Sequence, residues 1–283
     1  IAAVLGAKYR VLFNKGTENN HIGVPMTLLQ LRKSHQAAVL ELGTNHCGEI
    51  AWLAEIVRPT VAVFTNIGQS HLAGLGSPEG VLKEKSALLD FLSRDGVVIL
   101  NLDDPLLKPL ARKRFARKVV GYAVEHKADI KVDTVAAQRG GLAFTLTNKA
   151  GFFLRTPVWG NVYNALAAIA CGRLFGIAFA DMARAIKRTK PAKGRQCFYA
   201  IKGVTVVDDT YNSNPVSFRN ALRTLSLMER KGRSFVVAGD MLELGEGAEG
   251  IHSAVGESAA QAGVDRMLTF GRWAGRIGVR ARE

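Results

Sequence analysis

Two kinds of apolar segment alternate along the first part of the chain. Short runs rich in β-branched residues predict strands at residues 37–42, 60–65, 96–100 and 118–122. Between them, apolar residues at helical spacing predict helices at residues 49–57 and 78–92. Strands that alternate with helices form parallel βαβ units, and strands that are apolar throughout are typical of a sheet covered by helices on both faces. The pattern therefore predicts an α/β fold built on a central parallel sheet.

The pattern changes after residue 129. Short alternating strands, interrupted near residues 139–141 and 149–151, predict antiparallel hairpins up to residue 158. Two helices are then predicted at residues 161–175 and 180–189. Hairpins and helices of this kind extend the parallel sheet and complete the first domain.

A basic segment that contains proline and glycine, at residues 190–195, predicts a domain boundary. Beyond it, strands are predicted at residues 204–208, 234–238 and 266–270, and helices at residues 215–229 and 247–262. This alternation is typical of a doubly wound unit. We therefore predict a central domain over residues 1–194 and a partial, Rossmann-like carboxyl-terminal domain over residues 195–283.

Composition narrows the class of protein. Of 283 residues, 48% are hydrophobic and 22% are charged, which excludes a disordered chain. The formal net charge of +14 suggests an anionic partner, and the excess lies in residues 101–200, with 18 basic and 6 acidic side chains. Two basic clusters contain Lys108, Arg112, Lys113, Arg114, Arg117 and Lys118, and Arg184, Lys187, Arg188, Lys190, Lys193 and Arg195. A nucleic-acid-binding protein is one alternative, but no known nucleic-acid-binding module is present and basic runs are usually solvated, so nucleic acid is not an expected partner.

The three cysteines, Cys47, Cys171 and Cys197, are far apart and form no CxxC pair. This spacing argues against a disulfide scaffold or a zinc ribbon and favours a reducing, cytoplasmic setting. The best candidate for a membrane span, residues 165–176, is short and is interrupted by Arg173, so no span is expected. The opening IAAVL is typical of the middle of a helix, and we expect the chain to be a fragment.

Polar side chains follow the first three predicted strands. Glu41 ends the first, His71 closely follows the second, and residues 101–104 follow the third. Ligands bind beyond the carboxyl ends of strands in an open parallel sheet. A carboxylate suits Mg²⁺, and a neutral imidazole can complete its ligand sphere. A capping acid or a structural histidine is the alternative for either residue alone, whereas two such strand ends in one sheet favour a metal site.

Several sequence blocks occur in an order that is typical of one enzyme family. They are NNHIGVPMTLL (residues 19–29), ELG (41–43), GEI (48–50), HLAGLGS (71–77), DDTYNSNP (208–215) and GDMLELG (239–245). The first four blocks resemble the central, ATPase-type domain of the Mur ligases. The last two resemble the members of that family that use D-alanyl-D-alanine.

The resemblance implies an ATP-dependent amide ligase of peptidoglycan precursor synthesis. Such enzymes phosphorylate the terminal carboxylate of a UDP-muramoyl peptide, and an amine then displaces phosphate from the acyl phosphate. The implied partners are UDP-N-acetylmuramoyl-tripeptide, D-alanyl-D-alanine, ATP and Mg²⁺, and the implied protein is a cytoplasmic monomer. A diamino-acid-adding member of the family, or a ligase like folylpolyglutamate synthase, is the alternative among enzymes.

The resemblance also implies a metal site. Glu41, His71 and Lys85 match the family's Mg²⁺ ligands, and His71 and Lys85 are the expected catalytic residues. Lys85 stands where the family carries a lysine modified by CO₂. A carbamate turns an ammonium group into an anionic oxygen ligand. The alternative is a solvated lysine on an amphipathic helix, and Lys83 is the other candidate for the modified position.

Further residues match the family's nucleotide and peptide contacts. The nucleotide contacts implied are Asn161, Arg195, Asp209, Tyr211 and Asn212, and the substrate contacts implied are Asn19, Asn20 and His46. Simpler roles are open for three of them: a helix N-cap for Asn161, a solvated linker residue for Arg195, and a cap of the helix that starts at residue 215 for Asp209.

The chain departs from the family pattern at several positions. His is usual where Gly160 stands, Asn is usual where Thr17 stands, and Glu is common where Ala73 stands. The family's Gly-rich phosphate-binding loop, which ends in GKT or GKS, is not found in the sequence. Because that loop supplies the donors for the β- and γ-phosphates, the chain by itself is not expected to turn over ATP.

Overall fold

The structure is a computed structural model that describes residues 1–112, 118–229 and 232–282. Contacts within the chain divide it into two compact units. The first unit comprises Ile1–Ile67, Pro78–Thr156 and Gly160–Thr189, and the second comprises Gly68–Ser77, Pro157–Trp159 and Lys190–Glu283. The segment that carries His71 therefore belongs to the second unit. Lys113, Arg114 and Arg117 of the first basic cluster lie outside the described residues.

Short helices and strands make up both units. The α-helices are α1 (Ala2–Leu5), α2 (Gly23–Leu28), α3 (Glu49–Val57), α4 (Leu72–Leu75), α5 (Pro78–Ser86), α6 (Gly160–Leu174), α7 (Phe179–Arg188), α8 (Pro215–Leu227), α9 (Ala248–Gln261) and α10 (Ala274–Arg280). The strands are β1 (Val11–Phe13), β2 (Ala37–Val39), β3 (Val61–Phe64), β4 (Val97–Asn101), β5 (Lys118–Ala123), β6 (Ile130–Gln138), β7 (Gly141–Leu146), β8 (Gly151–Leu154), β9 (Cys197–Ile201), β10 (Val204–Asp208), β11 (Phe235–Ala238) and β12 (Arg266–Thr269). In the part of the chain that the structure describes, no helix is long and apolar enough to cross a membrane.

The first unit is built on a six-stranded sheet in the order β3-β4-β5-β6-β7-β8. β3 to β6 pair in parallel, whereas β6, β7 and β8 pair antiparallel as successive hairpins. All five residues of β4 are buried, as expected for a strand covered on both faces. The predicted α/β fold, with its change from parallel pairing to hairpins, is confirmed.

A second, two-stranded sheet lies in the same unit and pairs β1 with β2 in parallel. The prediction that the strand before Glu41 shares a sheet with the strand before His71 is therefore wrong, because β3 is hydrogen-bonded to β4 alone among the described strands. The apolar pattern predicted both strands but carries no information on which strand pairs with which. β1 itself has three residues, too few for a periodic pattern to reveal.

The core of the first unit surrounds α6, whose residues are buried on nearly every side. It packs among Tyr122 of β5 and Phe144 of β7, both fully buried. At Gly172 of α6, a Cβ would lie 2.4 Å from Met182 Sδ and 2.8 Å from Val4 Cγ1. The absence of a side chain at this position therefore lets α6 approach its neighbours closely.

The helix predicted at residues 78–92 is shorter than expected. α5 ends at Ser86 and is followed by a 3₁₀ segment at Ala87–Phe91. Lys83 and Lys85 both lie in the last turn of α5, where Lys83 is exposed and Lys85 is half-buried. Of the two candidates for modification, Lys85 is the one whose environment differs from that of a solvated helical lysine.

Asp103, in the polar segment after β4, fixes the turn that follows β5. Its carboxylate accepts hydrogen bonds from the backbone N–H groups of Val124 (2.6 Å), Glu125 (2.9 Å) and His126 (2.9 Å), and from the Tyr163 hydroxyl (3.0 Å). Burial acts to raise the pKa of Asp103, but the three backbone N–H donors and the His126 imidazole outweigh it and hold the pKa below its ordinary value. The residue therefore stabilises the turn in its ionised form.

We expect acid to weaken the first unit through Asp103. Because its folded-state pKa is depressed, its contribution to stability is complete above the unfolded-state pKa of about 4 and is lost as pH falls through the lower folded-state pKa. Thermal unfolding of Asp103→Asn should depend less on pH below about 5 than that of the unchanged chain. Asp95→Asn, at an exposed position of the same unit, is the control. Equal pH dependence in the Asp103 variant and the unchanged chain would contradict this role.

The described residues of the second unit form two separate two-stranded sheets. β9 and β10 form an antiparallel hairpin, and β11 pairs with β12 in parallel. The three strands predicted after residue 195 were expected to form one doubly wound sheet, and among the described strands they do not. β10 pairs with β9, which the sequence did not reveal. Lys202 and Gly203, with φ of 48° and 81°, form the tight turn that joins them.

Two side chains hold the GDMLELG turn at residues 239–245 in the second unit. Asp240 accepts hydrogen bonds from the N–H groups of Arg272 (2.8 Å), Trp273 (2.9 Å) and Ala274 (2.7 Å) at the start of α10. The fully buried His252 accepts from the N–H of Met241 at 2.9 Å through Nε2. Both contacts fix the backbone of the turn at its first residues.

Candidate functional site

The loop that follows β2 holds Glu41 by its backbone and by its side chain. The side-chain amide of Asn14 donates through Nδ2 to the Glu41 carbonyl (3.0 Å) and accepts through Oδ1 from the Glu41 N–H (3.0 Å), so that it occupies both backbone groups of Glu41. Asn19 donates to Glu41 Oε1 at 2.9 Å. The N–H of Gly43 donates to the Asn19 carbonyl at 2.7 Å, and a Cβ on Gly43 would lie 2.8 Å from the Asn19 side chain. Glycine at position 43 thus allows Asn19 to reach the carboxylate.

A buried carboxylate, Glu84, fixes the next turn. It is 6% exposed and accepts hydrogen bonds from the N–H groups of Gly48 (2.7 Å) and Ile50 (2.8 Å), at the start of α3. The Thr44 hydroxyl donates to the same carboxylate at 3.3 Å. Anions are stabilised at helix N-termini because the first N–H groups of a helix have no partner within it. Glu84, next to Lys85, therefore ties α5 to the loop after β2.

Lys85 lies close enough to Glu41 and Glu84 to feel their charge. Burial lowers the pKa of its ammonium group below the ordinary value, and the two carboxylates offset this shift only in part. A lower pKa increases the fraction of neutral amine, which is the form that reacts with CO₂. The surroundings of Lys85 thus fit modification by CO₂, and the carbamate would fit Mg²⁺ where an ammonium ion would not.

His71 is held by a different set of contacts. It precedes α4 in a left-handed backbone conformation, with φ of 56°. Its Nδ1 lies 2.5 Å from Oε2 of Glu243, and the N–H of Ala73 donates to the Glu243 carbonyl at 3.0 Å. Glu243 therefore contacts the His71 segment through both its side chain and its backbone.

The predicted metal ligands fall into both units. Glu41 and Lys85 lie together in the first unit, and His71 lies in the second. Among the described residues, no group of three or more His, Cys, Asp and Glu side chains is arranged to hold a metal ion by itself. The predicted set contains Glu41, His71 and Lys85, and its third ligand depends on the modification of Lys85 because an ammonium group does not bind a cation.

The predicted substrate contacts, Asn19, Asn20 and His46, all flank the Glu41 loop. Asn19 binds Glu41, while Asn20 Oδ1 accepts from the N–H groups at residues 22 (3.1 Å) and 23 (2.9 Å) at the start of α2. His46 is exposed over 75% of its side chain and lies 3.6 Å from Glu49. Hydrogen bonds from the N–H groups of residues 45 and 46 lower the pKa of Glu49, which fixes the backbone beneath His46.

Asn161 does not cap α6. The helix begins one residue earlier, at Gly160, and Asn161 Oδ1 accepts from Asn164 Nδ2 at 3.0 Å. The simple N-cap role is therefore wrong, because a side chain one turn along the helix occupies the acceptor that a cap would use. Gly160, which stands where the family usually has a histidine, is the first residue of α6.

Arg195, Asp209 and Tyr211 come together in the second unit. The Arg195 guanidinium lies over the Tyr211 ring, 4.2 Å from its centroid. Asp209 Oδ1 accepts from the N–H of Gln196 at 3.2 Å, and the Tyr211 N–H donates to the Gly194 carbonyl at 3.0 Å. Burial raises the pKa of Asp209, and the Gln196 hydrogen bonds and the Arg195 charge oppose that shift in part. Residues 194–196 and 209–211 are thus fastened side by side.

Two expectations for this cluster need correction. Arg195 is exposed but stacked on Tyr211, and is not a solvated linker residue without contacts. Asp209 does not cap α8, because Asn214 does so, accepting from the N–H groups of Val216 and Ser217. Asn212, also predicted at this site, accepts from its neighbour's N–H at 2.8 Å and is exposed.

Three residues that the sequence did not single out support the predicted ones: Asn14, Glu84 and Glu243. Asn14 and Glu243 each contact a predicted metal ligand directly, and Glu84 holds the loop between Glu41 and α3. Glu243 lies inside the GDMLELG block, so the block was a signal for it. The other two are ordinary polar residues near strand or helix ends, with no pattern that marks them.

Comparison with known proteins identifies two domains in the chain. Residues 1–172 match the Mur ligase middle domain, and residues 194–280 match the domain described as Mur ligase, glutamate ligase domain. The chain is 36% identical over 275 residues to the UDP-N-acetylmuramoyl-tripeptide–D-alanyl-D-alanine ligase of Bacillus subtilis (strain 168), covering 96% of this chain and 59% of that protein.

Solved structures show the same relationship. The chain superposes on MurF from Acinetobacter baumannii with a TM-score of 0.92 at 30% identity, covering 99% of this chain and 61% of that one. It superposes on the MurF ligase from Thermotoga maritima in complex with ADP with a TM-score of 0.86 at 27% identity, covering 97% and 64%. The chain spans about three fifths of the length of the Bacillus relative. On the match of its first 172 residues and its identity to these relatives, the chain belongs to the Mur ligase family.

Proposed function

We propose that the full-length protein carrying this chain uses ATP to join D-alanyl-D-alanine to the terminal carboxylate of UDP-N-acetylmuramoyl-tripeptide. The Bacillus relative is named for that pair of substrates. The DDTYNSNP and GDMLELG blocks support the same choice over a diamino-acid-adding ligase or a folylpolyglutamate synthase. ATP and a UDP-activated peptide are both substrates of the cytoplasm, where we expect the reaction to occur.

The reaction proposed has two steps. A carboxylate oxygen of the tripeptide attacks the γ-phosphorus of ATP, and ADP leaves. The amine of the dipeptide then attacks the acyl carbon. Phosphate leaves and carries away the carboxylate oxygen that attacked ATP in the first step. The difficulty lies in the first step, because a carboxylate must approach a triphosphate and both are negative. Cationic side chains and Mg²⁺ reduce this repulsion when they are bound beside the reacting groups.

The single observation that carries the proposal is the environment of Lys85 beside Glu41. Burial favours the neutral amine of Lys85, and Glu41 is oriented by Asn14 and Asn19. Carbamylated Lys85, Glu41 and His71 would hold Mg²⁺, which supplies charge neutralisation at the phosphates. Glu41 and the carbamate would supply the oxygen ligands that this metal prefers, and His71 would be its one nitrogen ligand.

The second unit supplies all but one of the proposed nucleotide contacts, since Asn161 lies in the first unit. Arg195 is stacked on Tyr211, which restricts a guanidinium group suited to the phosphates of ATP. Asp209 is fastened to the same segment through Gln196. We assign Asn161 and Asn212 to the nucleotide as well. The relative from Thermotoga maritima was solved in complex with ADP, which supports nucleotide binding by this protein.

The proposed substrate contacts divide by their exposure. His46 projects from a fixed backbone into solvent and would bind the muramoyl peptide directly. Asn19 and Asn20 are already hydrogen-bonded to Glu41 and to the start of α2, so they would shape the peptide site while keeping Glu41 in place.

Substrate dependence tests the proposal. With the full-length protein, ATP and UDP-N-acetylmuramoyl-tripeptide, we expect amide product and phosphate when D-alanyl-D-alanine is the acceptor. Replacing it with meso-diaminopimelate or glutamate should leave only background. Amide formation with either of those acceptors, and none with the dipeptide, would refute the assignment.

A further inference from the structure

Glu243 makes the shortest side-chain contact to a proposed metal ligand among the described residues of the second unit. Its Oε2 lies 2.5 Å from His71 Nδ1, and its carbonyl accepts from the Ala73 N–H at 3.0 Å. The two residues are 172 positions apart in the sequence. A contact that uses both the side chain and the backbone restricts the rotation of the ring as well as the path of the segment.

The contact determines which ring nitrogen is available. A carboxylate only accepts hydrogen bonds, so its partner nitrogen, Nδ1, must carry the proton. In a neutral imidazole the other nitrogen, Nε2, then has the lone pair that can bind a metal. Metal-binding histidines commonly donate their second N–H to a carboxylate, which fixes the tautomer and the orientation of the ring.

We propose that Glu243 is a positioning residue that presents Nε2 of His71 to the Mg²⁺ of the ligase. This inference rests on the proposed function, because it takes His71 as a metal ligand. It assigns a role to the GDMLELG turn, in which Glu243 has a left-handed backbone with φ of 62°. Asp240 and His252 fix the other end of the turn, so that Glu243 acts from a rigid support.

The tautomer of His71 tests the contact without any activity measurement. Long-range ¹H–¹⁵N spectra of the 283-residue chain, recorded over a series of pH values, report which nitrogen of the neutral ring is protonated. His71→Gln assigns the signal. We expect the Nδ1–H form in the unchanged chain and in Glu243→Gln, whose amide oxygen can still accept, and loss of that preference in Glu243→Ala.

Glu246→Ala is the matched control, because Glu246 is an exposed acid of the following 3₁₀ segment. It should leave the His71 tautomer unchanged. A His71 ring protonated on Nε2 in the unchanged chain would overturn the proposal, and so would an unaltered Nδ1–H population in a folded Glu243→Ala variant. If Glu243→Ala fails to fold, the unchanged chain and Glu243→Gln still decide the matter.

Binding of Mn²⁺ as a substitute for Mg²⁺ separates this inference from the proposed function. In the full-length protein with ADP, Glu243→Ala should weaken Mn²⁺ binding about 10-fold, and Glu246→Ala should not. Unchanged Mn²⁺ affinity in Glu243→Ala would overturn the positioning role. A different outcome is that the His71 tautomer changes in Glu243→Ala, but Mn²⁺ does not broaden the His71 signals of the unchanged protein. In that case His71 is not a metal ligand, and it is the proposed function that is refuted at this point.

Discussion

Lys85→Ala is expected to abolish ligation in the full-length protein, lowering kcat by at least about 1,000-fold. Loss of a metal ligand removes several kcal/mol of transition-state stabilisation, and each 1.4 kcal/mol corresponds to about a factor of ten in rate. The environment of Lys85 favours the neutral amine that forms a carbamate, because burial lowers its pKa. The measurement is the initial rate of amide formation with saturating substrates.

The control for Lys85 lies on the same helix. Lys83 is exposed in the last turn of α5, so Lys83→Ala should keep nearly full activity. Added bicarbonate should not rescue Lys85→Ala, since no amine remains to form the carbamate. Full activity in Lys85→Ala, or loss of activity in Lys83→Ala alone, would remove the carbamate from the account.

Glu84→Gln should loosen the turn that precedes α3 by about 3 kcal/mol, since each hydrogen bond to a charged group contributes about 1.5–3 kcal/mol. The substitution replaces one carboxylate oxygen with an NH₂ group, which must then face a backbone N–H of Gly48 or Ile50. Native-state hydrogen exchange of those two amides is the direct readout, and we expect it to accelerate about 100-fold.

Glu79 provides the comparison for Glu84. It is an exposed acid in the first turn of the same helix, so Glu79→Gln should leave the exchange of both amides unchanged. Protection of Gly48 and Ile50 that survives Glu84→Gln would show that the buried carboxylate does not fix this turn.

Most strands of the large sheet were predictable because each is a short apolar or alternating run of residues. β4 is buried throughout and apolar up to its last residue, and the strands β6 to β8 are joined by short turns in which Gly140 and Lys149 have left-handed backbones. Pairing was harder to predict. β2 pairs with the three-residue β1, and β10 pairs with β9, because hydrogen-bonding partners depend on tertiary packing that periodicity does not encode.

The candidate site divides in a similar way. Glu41 and His71 were predicted from local blocks of sequence, and Lys85 was predicted from its match to the position of the family's modified lysine. Glu84 and Glu243 act on residues 34 and 172 positions away, and no local pattern marks such a contact. For Asn161 a local pattern was misleading. An asparagine near a helix start suggested a helix cap, whereas its Oδ1 accepts a hydrogen bond from the Asn164 side chain.

The fate of the tripeptide's carboxylate oxygen tests the central claim, that the full-length protein forms an acyl phosphate and passes the acyl group to D-alanyl-D-alanine. Both oxygens of the terminal carboxylate are labelled with ¹⁸O, and the released phosphate and the amide product are analysed by mass spectrometry. We expect one ¹⁸O atom in each phosphate and one in each new amide. Phosphate without ¹⁸O would mean that water attacked ATP, and would contradict the account.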